Sequence, residues 1–92
     1  MKRARFVVFG NVQGVCYRHY SAKKARELGI SGFVRNLIDG RVEVLAEGED
    51  EKLDAFLIFC KKNPGQSCVE KLEIEEIKKI NKIEFKGFEI RN

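Results

Sequence analysis

Residues 5–9 read Arg-Phe-Val-Val-Phe, a run whose four apolar side chains leave neither face polar. A strand built from such a run needs cover on both sides, which places it inside a sheet rather than at its edge. The run stops at Gly10, and a stretch bounded by Gly10 and Gly14 separates it from a pattern of different period. There Tyr17, Ser21, Ala25 and Leu28 recur at helical spacing, with Lys23, Lys24, Arg26 and Glu27 turned away from them. The spacing predicts an amphipathic helix over 17–28, with Gly29 as its C-terminal stop.

The rest of the chain extends this scheme. Residues 31–37 and 41–47 read as short strands around Asp39-Gly40, a dipeptide that favours a tight hairpin with both turn residues at positive φ. In the second strand Val42, Val44 and Ala46 alternate with Glu43, Leu45 and Glu47, which predicts one buried face and one mostly wet face. Over 49–62, Leu53, Phe56, Leu57 and Cys60 stand at i, i+3, i+4 and i+7, the stripe of a second helix. Acids open that helix and Lys61 and Lys62 close it, matching the helix dipole, and Asn63-Pro64-Gly65 ends it. A strand over 69–77 follows, with Leu72 and Ile74 on one face, then an interrupted strand over 83–90 around Gly87. The order β-α-β-β-α-β with a short extra C-terminal strand is that of a ferredoxin-like α+β sandwich, an antiparallel sheet with two helices on one face. A chain of 92 residues suits one domain, 1–92, around one core. Topology of this kind hosts many functions and selects none.

Charge narrows the ligand class. The formal charge of +4 and pI near 9.1 suit an anion, either a phosphate metabolite or a nucleic acid. Because the basic residues are interspersed with acidic ones, a mixed solvated surface is the simpler reading. Cys16, Cys60 and Cys68 are odd in number with no close pair, which argues for reduced thiols rather than a disulfide framework or a metal knuckle. The apolar run behind the basic N-terminus is too short for a signal peptide, and no stretch approaches membrane-spanning length. The expectation is a cytoplasmic protein with no membrane partner.

Chemistry concentrates in Gly10-Asn11-Val12-Gln13-Gly14-Val15-Cys16-Tyr17-Arg18, which joins the central strand to the first helix. A helix N-terminus offers unpaired N–H groups and partial positive charge, and Gly10 and Gly14 let the chain curl so that amides point inward. Arg18 adds a planar fork of donors matched to phosphate oxygens. Taken alone, a glycine loop with an arginine is equally compatible with a structural turn. The second stretch, Gly32-Phe33-Val34-Arg35-Asn36-Leu37-Ile38-Asp39-Gly40-Arg41-Val42-Glu43, carries an asparagine before a hairpin, ordinarily a turn former.

Together the two stretches closely resemble the acylphosphatase family, whose signatures run G-x-V-Q-G-V-x-[FY]-R and G-x-V-x-N-x-x-D-G-x-V-E in this order. Both match at every fixed position, and the likeness continues through the Glu47-Gly48-Glu49 segment and the closing Phe88-Glu89-Ile90. The resemblance implies an enzyme that hydrolyses the carboxyl–phosphate bond of a small acyl phosphate without metal or other cofactor. It implies a phosphate cradle formed by Gly14, Val15, Cys16, Tyr17 and Arg18, with Arg18 and Asn36 as the catalytic residues. Arg18 would clamp the phosphoryl group and Asn36 would orient the attacking water. A carboxylate leaves as a stable anion, so the absence of a convincing acid–base pair fits this chemistry. Cys16 stands where glycine or a bulky apolar residue is common, Tyr17 where Phe is usual, and Phe33 where Trp or Tyr is frequent. The segment at 63–69 is looser than the family's glycine-proline segment. These departures bear on substrate preference and loop geometry, not on Arg18 or Asn36.

Rival readings carry less. Cysteine-phosphatase chemistry at Cys16 needs an arginine six places on, where Ala22 stands. His19 diverges from Arg18 by about 100° on a helix, so an ordinary surface or half-buried histidine is expected. Glu43 and Glu47 share a strand face without a third ligand and read as surface charge. An RNA-recognition module would need its aromatic signature strand, which Lys86-Gly87-Phe88-Glu89 only begins. A regulatory domain like those at the front of larger carbamoyl-transfer proteins is a further alternative. With nothing after Asn92, a free-standing enzyme is expected, monomeric and without a nucleic-acid partner.

Overall fold

The computed structural model describes residues 1–13, 16–62, 64 and 67–91. Its elements run β1 (Lys2–Asn11), α1 (Tyr17–Leu28), β2 (Ser31–Asn36), β3 (Val42–Gly48), α2 (Asp50–Lys61), β4 (Cys68–Lys79) and β5 (Phe88–Arg91). The sheet order is β4-β1-β3-β2-β5, with antiparallel neighbours except for the parallel β2–β5 pair. This is the ferredoxin-like sandwich with the added C-terminal strand on the β2 edge.

The apolar run lies inside the sheet, between β3 and β4, as its two apolar faces require. Phe6 pairs with Val44 and Ala4 with Ala46, and Val34 lies opposite Val44 from the other side. These side chains form one buried layer with Tyr17, Ala22 and Ala25 of α1 and Leu53, Phe56, Leu57 and Cys60 of α2. The Phe56 ring meets Phe6 and Phe88 edge-on at centroid distances of 6.4 and 5.7 Å. The helices are also tied directly, because the buried Tyr17 hydroxyl donates to the Cys60 carbonyl at 2.9 Å.

Three expectations need correction. The second face of β3 is not wet: Glu47 is fully buried and Glu43 nearly so. The register sets Arg3 opposite Glu47 and Arg35 opposite Glu43, and both guanidinium groups fold over the carboxylates. Arg3 Nε donates to Glu47 Oε2 at 2.7 Å, and Arg35 Nε to Glu43 Oε1 at 2.6 Å. Glu47 Oε1 also accepts the backbone N–H groups of Glu84 and Phe85, at 2.9 and 3.2 Å. Those bonds explain the second correction. With its amides turned to Glu47, the stretch from 83 to 87 runs outside the sheet, and only Phe88–Arg91 forms a strand. The third concerns the hairpin. Gly40 has φ 95°, but Asp39 is not among the positive-φ residues. Gly40 N–H donates to Leu37 O at 3.2 Å and Leu37 N–H to Arg41 O at 2.8 Å, closing a three-residue loop. Such a loop needs positive φ only at its last residue, which is glycine.

Candidate active site

The loop after β1 is held from several sides. Gly10, at φ 128°, packs so closely on β4 that an added Cβ would stand 2.1 Å from Cys68 O. Val12 is buried in the core. Gln13 Nε2 donates to Leu37 O at 2.8 Å and to Arg41 O at 2.9 Å, fastening the loop to the neck of the β2–β3 hairpin. Gly14 and Val15, two of the expected cradle residues, lie outside the described residues.

Cys16 caps α1 in the left-handed conformation, φ 64° and ψ 18°, a geometry costing a non-glycine residue about 1–2 kcal/mol. Its side chain is exposed and makes no cap bond, and its carbonyl accepts Tyr20 N–H at 3.0 Å. Tyr17 follows with its side chain buried among the helices, so the backbone is what it presents at the loop. Burial pushes the Tyr17 phenol well above its ordinary range. No acidic residue stands in the first turn of α1, so the positive end of the helix dipole is uncompensated from within the helix. Arg18, in that first turn, is half-buried, and its Nη1 donates to Arg91 O at 2.8 Å, which fixes its direction against β5. A hollow of about 350 Å³ opens here, lined by Val12, Cys16, Tyr17, Arg18, His19 and Ile90. His19 is exposed, with its ring against Tyr20.

Asn36 ends β2, paired across the ladder with Val42. Its residue is half-buried, yet its Oδ1 is fully buried and has no hydrogen-bond partner among the described residues. An unsatisfied buried acceptor is unfavourable in a purely structural role and is ready to receive a donor. Arg35, Asn36, Leu37, Ile38, Asp39 and Arg41 line a second hollow of about 490 Å³. Asp39 serves the turn: its carboxylate accepts Arg41 N–H at 3.2 Å and Arg41 Nε at 2.6 Å, which holds its pKa below the usual range.

Arg18 and Asn36 thus line different hollows, and the loop and the Asn36 strand end are joined through Gln13. Gln13 is the functional candidate that the residue-by-residue reading passed over. Its signal lay in the first motif, where it is a fixed position without an assigned role. Among the described residues no group of three His, Cys, Asp or Glu side chains is placed to hold a metal ion.

The fold defines a ferredoxin-like α+β protein whose first strand and loop end at the uncompensated N-terminus of α1. Residues 4–90 match the family model for acylphosphatase. The chain is 51% identical over 77 residues to an acylphosphatase of Methylococcus capsulatus, covering 84% of each chain. It is 51% identical over 75 residues to one of Thermus thermophilus, covering 82% of this chain and 85% of the relative. The crystal structure of acylphosphatase from Bacillus subtilis superimposes with a TM-score of 0.92 at 32% identity, over 100% of both chains. The chain belongs to the acylphosphatase family, the enzymes that split acyl phosphates into a carboxylate and inorganic phosphate.

Proposed function

We propose that this chain hydrolyses small acyl phosphates by direct attack of one water molecule, held by Asn36, on a phosphoryl group bound in the β1–α1 loop. The backbone amides of residues 14–18 and the Arg18 guanidinium receive the non-bridging oxygens. The water oxygen forms the new bond to phosphorus as the bond to the acyl oxygen breaks. The carboxylate leaves with the electron pair; one water hydrogen stays on the new phosphate hydroxyl and the other passes to a second phosphate oxygen or to solvent. Because the leaving group is a stable anion, positioning and charge stabilisation supply the catalysis. The observation that carries this reading is Asn36 Oδ1, which has no hydrogen-bond partner among the described residues and so is an acceptor left for a water proton. The reading requires no metal ion and no nucleic acid. It extends to a monomer working in the cytoplasm, where the free Cys16, Cys60 and Cys68 stay reduced; an assembled species in sedimentation would count against the monomer.

Benzoyl phosphate hydrolysis at neutral pH, with chelator present, tests the proposal. Wild-type turnover is expected to be unaffected by chelator. Asn36→Ala should lower kcat by about 10²–10³ while leaving inorganic phosphate affinity, read by calorimetry, near wild type. Arg18→Ala should lose phosphate affinity. If Asn36→Ala loses phosphate binding as badly as Arg18→Ala, the division of roles is wrong. A folded wild type that binds phosphate without turnover would instead make the chain a phosphate-binding regulatory domain.

A further inference from the structure

We infer that Gln13 is a positioning residue for the hydrolysis: its carboxamide sets the Asn36 strand end against the phosphate-receiving loop. The inference rests on the function proposed above and assigns the residue that joins the two halves of the site.

The geometry is specific. A primary amide has two N–H donors, and Gln13 Nε2 directs one to Leu37 O and the other to Arg41 O, at 2.8 and 2.9 Å. These carbonyls belong to the two residues that close the hairpin, themselves joined by Leu37 N–H to Arg41 O at 2.8 Å. One side chain therefore holds both rails of the hairpin at its neck, one residue beyond Asn36. On the loop side Gln13 is flanked by the buried Val12 and, three residues earlier, by Gly10 set against β4, so it is anchored in its turn. Through these bonds Gln13 fixes where the Asn36 strand end lies relative to the start of the loop that receives the phosphoryl group. In-line attack is sensitive to displacements of about 1 Å, which can cost about 10²-fold in rate without loss of binding. A turn former alone has no need of a donor pair reaching across 24 and 28 residues of sequence.

Three variants test the inference. Gln13→Met keeps the length and removes the donors, and Gln13→Glu keeps the shape but sets acceptors against two carbonyl oxygens. In both, kcat for benzoyl phosphate is expected to fall about ten- to a hundredfold. KM and competitive inhibition by inorganic phosphate should stay within about threefold of wild type, which also shows that the variants are folded. The Gln13→Glu rate relative to wild type should rise as pH falls toward the ordinary carboxyl range near about 4.3, where protonation restores one donor. Combined with Asn36→Ala, Gln13→Met should cost nothing further, because it acts through Asn36. Wild-type kcat in both Gln13 variants, loss of phosphate inhibition in parallel with Arg18→Ala, a pH-independent Gln13→Glu deficit, or the full Gln13→Met deficit on the Asn36→Ala background would each overturn the role. The proposed function has its own test in wild type and Asn36→Ala, so a failure here leaves it standing.

Discussion

At the scale of single residues, two buried polar groups have opposite meanings. Glu47 is satisfied: Arg3 and two backbone amides meet its oxygens, and the Glu47 bond in turn holds the Arg3 guanidinium above its ordinary pKa. Asn36 Oδ1 is buried and unmet among the described residues, an acceptor still able to receive a donor. The first case predicts a stability effect. Arg3→Met strands the fully buried Glu47 carboxylate and should cost about 3–5 kcal/mol in denaturant unfolding. Arg41→Met removes the partner of the solvent-exposed Asp39 and should cost far less, because water screens that pair. Equal losses in the two variants would refute the view that burial of Glu47 separates them. The sequence named both glutamates of β3 but read them as surface charge. Which arginines lie over them depends on strand register, and register is a tertiary fact.

At the scale of elements, β1 does more than fill the sheet centre. It carries the loop on its C-terminal end, and its pairing with β4 shifts register between Arg5 and Phe6 and again between Phe9 and Gly10. The second shift falls where the strand gives way to the loop, and Gly10 makes it possible by letting the chain approach Cys68 O. Gly10→Ala would drive a methyl group into that carbonyl, and the positive φ would be strained as well. The expected result is a loss of about 2 kcal/mol or more in stability together with weaker phosphate binding, because the start of the loop must move. Stability and calorimetric phosphate affinity both unchanged would mean that the loop is positioned independently of β4. The helix α1 was legible to the residue, since its stripe and its glycine stop are local signals. β5 was overdrawn because the apolar residues at 83 and 85 look like strand until the amides of 84 and 85 are seen bound to Glu47.

At the scale of the whole molecule, the two helices are locked to one another across the core by Tyr17 and Cys60, and both side chains have proton affinities shaped by burial. Burial pushes the Cys60 thiol from 9.0 up to about 12. A group whose folded pKa is raised stabilises fully below its unfolded pKa and loses that contribution as pH rises toward the folded value. Between about pH 9 and 12 the unfolded thiol is ionised and the folded one is not. Unfolding free energy should therefore fall by about 1.4 kcal/mol per pH unit in this window from Cys60 alone. Tyr17 adds to the decline in the same direction. Cys60→Ala should flatten the alkaline slope even though it lowers stability at neutral pH. An unchanged slope would show that other groups set the alkaline limit.

The sequence by itself determined the elements, their order, the ferredoxin-like class and the motifs that carry Arg18 and Asn36, because hydrophobic period, glycine stops and motif residues act over short stretches of chain. Only the tertiary structure decided what each polar side chain meets. Glu47 became a buried knot, Tyr17 a core residue offering the loop its backbone alone, and Gln13 the link between two motifs. Each outcome depends on partners 24 to 44 residues away, brought close by strand pairing and helix packing that no local pattern encodes.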